Sequence, residues 1–135
     1  MISRRSILLS LVTAVLSCGW LPAWAGSRGT DPIRLFDTDN DGTLDLVEVK
    51  KAASALFTKL DHDRDGTLDK RELRGRMSAK EFAVADPDND GTLTVEEYLA
   101  VVEKRFNAAN PDKDGTLDAK ELKTSAGQAL LRLLR

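Results

Sequence analysis

The sequence predicts an all-α domain assembled from one short unit used four times. Three observations predict it. A twelve-residue segment recurs as DTDNDGTLDLVE (37–48), DHDRDGTLDKRE (61–72), DPDNDGTLTVEE (86–97) and NPDKDGTLDAKE (110–121). The copies start 24, 25 and 24 residues apart, and the first two map onto the last two with a constant offset of 49, so the chain reads as a duplicated pair. Between copies lie only twelve or thirteen residues, and two of these connectors lack glycine and proline and space their apolar residues as a helix does.

The chain opens with Arg4 and Arg5, an apolar run from Ile7 to Leu16, and Ala23-Trp24-Ala25. A charged start, a short apolar stretch and an Ala-x-Ala ending form a secretory signal peptide over residues 1–25, cut after Ala25. The stretch Ser3-Arg4-Arg5-Ser6-Ile7-Leu8 resembles a twin-arginine export signal, which places the mature chain, residues 26–135, in a bacterial periplasm. Cleavage before Cys18 as a lipoprotein fits less well, because Val15 and Leu16 are poor matches to that signal. Cys18, Trp20 and Trp24 all leave with the leader, so packing or metal must stabilise what remains.

Within the domain, Thr30-Asp31-Pro32 starts a first helix. Val49–Leu60 and Tyr98–Ala109 each read as one helix serving two loops. The 73–85 connector instead breaks at Gly75 and restarts at the capping box Ser78-x-x-Glu81. Ser125-x-x-Gln128 restarts a final helix carrying Leu130, Leu131, Leu133 and Leu134. Leu44, Leu68, Leu93 and Leu117 occupy position 8 of the repeats and, with Phe36, Phe57, Phe82 and Phe106, are expected to form the core.

Each repeat sets oxygen side chains at positions 1, 3 and 5, glycine at 6 and glutamate at 12. This is the EF-hand calcium-loop pattern, completed by a backbone carbonyl at 7 and a bidentate glutamate. Four copies in a row, each with Thr-Leu at 7 and 8, are not the pattern of a merely solvated acidic surface. The first loop offers Asp37, Asp39, Asp41, the Thr43 carbonyl, Asp45 (directly or through water) and Glu48. The second offers Asp61, Asp63, Asp65, the Thr67 carbonyl, Asp69 and Glu72. The third offers Asp86, Asp88, Asp90, the Thr92 carbonyl, Thr94 and Glu97. The fourth offers Asn110, Asp112, Asp114, the Thr116 carbonyl, Asp118 and Glu121.

Removing Arg4 and Arg5 from the 20 basic residues leaves 18 against 22 acids, a formal charge of −4. The balance hides segregation, because 19 of those 22 acids lie inside the four loops. At positions 1, 3, 5, 9 and 12 the loops carry five, five, four and four carboxylates. Crowded carboxylates repel, and a more highly charged ion relieves more of that repulsion, which favours a trivalent cation over calcium. Absent thiolates and paired histidines argue against zinc or copper; His62, at position 2, is expected to face solvent. Every acid cluster is accounted for by metal ligation, so no enzyme is expected, and nothing points to nucleic acid or, after cleavage, to a membrane. An exported calcium buffer or sensor is the competing reading. A dockerin-like protein-binding module is a third, but dockerins use two loops.

Three features together resemble the lanmodulin family, periplasmic lanthanide-binding proteins of methylotrophic bacteria. They are the small exported chain, four loops this closely spaced, and proline at loop position 2 (Pro87, Pro111). The similarity runs from Asp31 to Arg135 and is most specific in ADPDNDGTL, FNAANPDKDGTLDAKEL and SAGQALLRLLR. The resemblance implies a compact four-EF-hand domain, three-helix-bundle-like, with metal loops at the periphery and short β-bridges between loop pairs. It further implies La, Ce or Nd type lanthanide(III) ions as the bound metals, Ca2+ as a weaker ligand, and a disordered metal-free state that compacts on binding. Asn110 opening the fourth loop marks the weaker site. Implied partners are lanthanide-uptake components or a lanthanide-dependent dehydrogenase system. The chain departs from the family at Thr38 and His62, which replace the position-2 proline, and at Thr94, which replaces an aspartate.

Overall fold

The computed structural model describes residues 31–135; the leader and its cleavage site lie outside them. Five α-helices and four short strands follow in order. They are α1 (Pro32–Phe36), β1 (Leu44–Asp45), α2 (Leu46–Leu60), β2 (Thr67–Asp69), α3 (Ala79–Ala85), β3 (Thr92–Thr94), α4 (Val95–Ala109), β4 (Thr116–Leu117) and α5 (Ser125–Leu131). A single 3-10 turn, Glu121–Lys123, precedes α5.

The helices begin where the side chains can cap them. Asp31 accepts from the Ile33 N–H, and Pro32 fills the first helical position, where its missing N–H costs nothing. Helices α2 and α4 each run 15 residues, or about 22 Å. They include the last residues of the loop before them, because Asp45–Glu48 and Thr94–Glu97 form capping boxes. Ser78 and Glu81 form a third such box at α3. The loop that would wrap an ion thus ends in the device that starts the next helix.

The connector after the second loop is shorter in regular structure than its length allows. Residues 70–76 make successive turns, closed by Leu73 N–H to Asp69 O and Arg76 N–H to Leu73 O, with Gly75 at φ +81°. The last helix starts one residue earlier than the Ser125-x-x-Gln128 reading. Thr124 is the cap, accepting from the Gly127 N–H at 3.0 Å, while the Gln128 side chain donates to the Leu122 carbonyl. The reason is close approach: a Cβ on Gly127 would lie 2.2 Å from the Glu121 carbonyl oxygen. The chain then leaves the helix after Leu131, yet Leu133 and Leu134 stay buried.

Strand pairing sets the architecture. β2 pairs antiparallel with β3, aligning Leu68 with Leu93; β1 pairs antiparallel with β4, aligning Leu44 with Leu117. The second loop therefore joins the third, and the first joins the fourth. With each long helix linking two loops, this pairing makes α2 and α4 run antiparallel, with one loop pair at each end. Helix α5 packs along α4 as the third helix, and α3 and α1 pack on α4 and α2.

The core is one cluster. All four position-8 leucines are fully buried, and Val49, Phe57, Phe82, Tyr98, Val102, Phe106 and the C-terminal leucines are buried with them; Phe36 is half-buried at the cluster's edge. Tyr98 meets Phe57 edge-on at 5.7 Å and donates its hydroxyl to the Leu133 carbonyl, tying α2, α4 and the C-terminus together. Its burial pushes the phenol up to about 12. Arg105 bridges α3 and α5 by reaching both Glu81 and the Ala129 carbonyl. Among the described residues no helix is long and apolar enough to cross a membrane.

Candidate metal centre

In the first three loops the fold brings three carboxylates together. Oxygens of Asp37, Asp39 and Glu48 lie within 4.8 Å of one another, as do those of Asp61, Asp63 and Glu72, and of Asp86, Asp88 and Glu97. These are positions 1, 3 and 12 of each loop. Among the described residues the fourth loop forms no such trio, because Asn110 stands at position 1 and offers an amide oxygen instead. Glu48, Asp86 and Asn110 are buried, at 7%, 4% and 5% exposure.

Backbone N–H groups hold these side chains. The position-6 glycine N–H donates to Asp37, Asp61 and Asp86 at 3.0, 3.1 and 3.0 Å. Asn110 is held differently, by the Lys113 N–H at 2.8 Å. At position 5, Asp41, Asp65, Asp90 and Asp114 each accept from both the N–H and the hydroxyl of the threonine two residues on. Those threonines thereby fix the turn that presents the position-7 carbonyl. Position 9 serves the helix: Asp45, Asp69, Thr94 and Asp118 accept from the N–H of the glutamate at position 12. The position-4 residues Asn40, Arg64, Asn89 and Lys113 all take φ near +60°, a strained state for arginine and lysine that the loop consensus does not announce.

The final glutamate is where the loops diverge. In every loop its Oε2 accepts from the position-9 N–H, at 3.2, 3.1, 2.8 and 2.9 Å in chain order. In the first two loops its Oε1 also accepts from the position-2 N–H of Thr38 or His62, and Thr38 adds its hydroxyl at 3.0 Å. Pro87 and Pro111 have no N–H to give. Glu121 Oε1 is consequently buried without a hydrogen-bond partner. The loop consensus gives position 2 no ligand; the sequence marks it only by the contrast between proline and non-proline. The His62 ring is exposed, as expected, with Nδ1 2.6 Å from the Leu60 carbonyl.

In the first three loops the position-3 carboxylates sit above their ordinary values. Asp39 is held down by the Asp41 N–H, but desolvation and the charges of Asp41 and Glu48 outweigh it. Asp63 behaves alike, with the Asp65 N–H opposed by desolvation and by Asp65, Glu72 and Asp61. Asp88 is raised first by the hydrogen bond it shares with Asp86. Two residues along, threonine donors hold Asp41 and Asp90 below the ordinary value. The donor set suits a hard cation. It is all oxygen, it is crowded enough to resist ionisation, and in the fourth loop it includes a buried oxygen with nothing to bond.

The EF hand family model matches residues 32–51, 54–78 and 79–102, together a little over half of the chain. The chain belongs to the EF-hand family. Its first three EF-hand loops fall inside those matches, and the Asn110 loop lies beyond the last of them. The chain is also similar to lanmodulin of Methylorubrum extorquens, at 51% identity over 79 residues, which is 57% of this chain and 54% of that protein. The match thus spans about half the length of that curated relative. As an EF-hand protein, this chain is a metal binder, and the carboxylate trios of its first three loops are the candidate metal centre, with the strands joining loop 1 to 4 and loop 2 to 3.

Proposed function

We propose that the chain is exported to the periplasm and there binds trivalent rare-earth ions, wrapping them in its four loops for uptake, buffering or trafficking. The observation that carries this reading is the carboxylate crowding. Three ionisable side chains converge within 4.8 Å in each of the first three loops, with four or five acids per loop in all. A divalent ion leaves each loop at −3 or −2, whereas a trivalent ion leaves −2 or −1. Unit charges about 4 Å apart interact by roughly 4 kcal/mol near a protein surface, so each added unit of cation charge is felt by every ligand. The likeness to lanmodulin supports the same reading.

Binding and folding are coupled through position 8. Leu44, Leu68, Leu93 and Leu117 are core residues that sit inside the loops, between ligands. A loop drawn shut around an ion places its leucine in the core, and an open, self-repelling loop withdraws it.

Competition between terbium and calcium tests the reading. Tyr98 is covalently next to the ligand Glu97, so tyrosine excitation sensitises an ion in the third loop. Emission that persists under a large calcium excess is the expected result; ready displacement would instead mark an exported calcium buffer or sensor. Electrophoretic mobility gives an independent check. Four trivalent ions take the formal charge of residues 26–135 from −4 to +8, against +4 for four calcium ions.

A further inference from the structure

A second charged site lies away from the loops. Where the exit of the second loop meets the end of α5, a depression of about 300 Å³ is lined by Arg74, Arg76, Arg132 and Arg135, together with Gly75, Gln128 and Leu131. These are four of the eight arginines in residues 31–135, and no acid lines the depression. Neither ion pair among the described residues involves them. Arg76 is already oriented, donating from Nη1 to the Arg132 carbonyl at 3.1 Å.

The choice of arginine is informative. Lysines gathered without counter-charge can lose protons, whereas guanidiniums cannot. A cluster of four therefore stays charged, and only an anion neutralises it. No aspartate or glutamate lines the depression to do so, and 19 of the 22 acids sit in the metal loops. Planar guanidinium forks match the paired oxygens of a tetrahedral oxyanion. At about 300 Å³ the depression has room for such an oxyanion together with bridging water.

We propose that this depression binds a small tetrahedral oxyanion, a sulfate or phosphate group, through Arg74, Arg76, Arg132 and Arg135. Its two halves are fixed by two metal loops. Arg74 and Arg76 lie two and four residues after the ligand Glu72. Arg132 and Arg135 hang on α5, whose Gly127 abuts the Glu121 carbonyl and whose Gln128 holds the Leu122 carbonyl at 2.8 Å. Ordering Glu72 and Glu121 around cations brings the halves into register, so oxyanion and metal strengthen each other's binding. This linkage rests on the metal reading of the loops; the oxyanion site itself does not.

The test titrates the lanthanum-loaded chain with sodium sulfate against sodium chloride at matched ionic strength, following arginine Nε–Hε resonances. Sulfate serves as the probe because free phosphate would compete for the cation. Saturable shifts confined to the four arginines are expected, with affinity falling about tenfold or more in the exposed double variant Arg132→Gln/Arg135→Gln. A second arm sediments the chain with phosphatidylcholine vesicles containing phosphatidylglycerol. Vesicle binding without saturable sulfate binding, abolished by the same variant, supports the site and assigns the phosphate group to a lipid headgroup. Shifts that match chloride with no vesicle binding, or binding unchanged in the variant, overturn the proposal. Sulfate binding to a chain that takes up no lanthanum would leave the site standing and remove only its coupling to metal.

Discussion

In loops 1 and 2 the final glutamate is held at both oxygens, Oε2 by the position-9 N–H and Oε1 by Thr38 or His62. In loops 3 and 4 only Oε2 is held, and Glu121 Oε1 is buried with no donor. The strand pairing puts one loop of each kind in every pair, 1 with 4 and 2 with 3. Two otherwise similar loops thus differ in how much a cation gains by arriving. A glutamate held twice is set in place before binding. A glutamate with an orphaned oxygen leaves the metal-free fold less stable and gives the ion a ligand atom that nothing else satisfies.

The largest test of that contrast removes the glutamate charge itself. Glu48→Gln and Glu121→Gln should each weaken metal binding at their own loop by about 100-fold or more, given several kcal/mol per lost charge contact. Isothermal titration should show one site lost in each case. Equal, small losses would mean that position 12 is not a ligand.

Next in size is the coupling between paired loops. Leu93→Ala should lower stability by about 2–5 kcal/mol and also weaken metal binding at loop 2, where its partner Leu68 sits. Chemical denaturation measures the first effect and site-resolved titration the second. A loss confined to loop 3 would show that the strands join the loops without coupling them.

Pro111→Ala bears on the contrast most sharply. The new N–H can reach Glu121 Oε1 and remove a penalty of about 1–3 kcal/mol, against about 0.4–1 kcal/mol from the freer unfolded chain. The chelated chain should keep more helix, and the gain in helix on loading should shrink. Thr38→Pro should do the reverse at Glu48. Thr94→Ala should cost about 1 kcal/mol by deleting the cap of α4, as thermal unfolding would register.

The smallest effect is on pH. Asp39, Asp63 and Asp88 have folded values above their unfolded ones, so the folded state binds more protons. Their contribution to metal-free stability is fully present below the ordinary aspartate value and is lost as pH rises through the raised values. Acidification through those raised values should therefore increase helix content without metal, and Asp39→Asn with Asp63→Asn and Asp88→Asn should flatten that rise. Further acidification reverses it, because Asp41, Asp69, Asp90 and Asp118 have lowered values and lose their contribution as pH falls.

Much of this was legible in the sequence because local chemistry decides it. Asp31-Pro32, Ser78-x-x-Glu81 and the uninterrupted connectors place α1, α3, α2 and α4, and the loop consensus places the trios at positions 1, 3 and 12. Long-range choices were not legible. Leu44 could have met Leu68 as readily as Leu117 by sequence alone, since the four position-8 leucines are locally equivalent. The cap at Thr124 depends on Gly127 seating against Glu121, a close approach that no spacing rule encodes. The role of position 2 was hidden for another reason: it belongs to a backbone N–H, visible in the sequence only where proline removes it.

Far-ultraviolet circular dichroism of residues 26–135 during parallel lanthanum and calcium titrations tests the central claim most directly. The account predicts little helix after exhaustive chelation, and a gain that is complete by about four equivalents of lanthanum. The same amount of calcium should produce far less. A fully helical spectrum after chelation, unmoved by lanthanum, would contradict it.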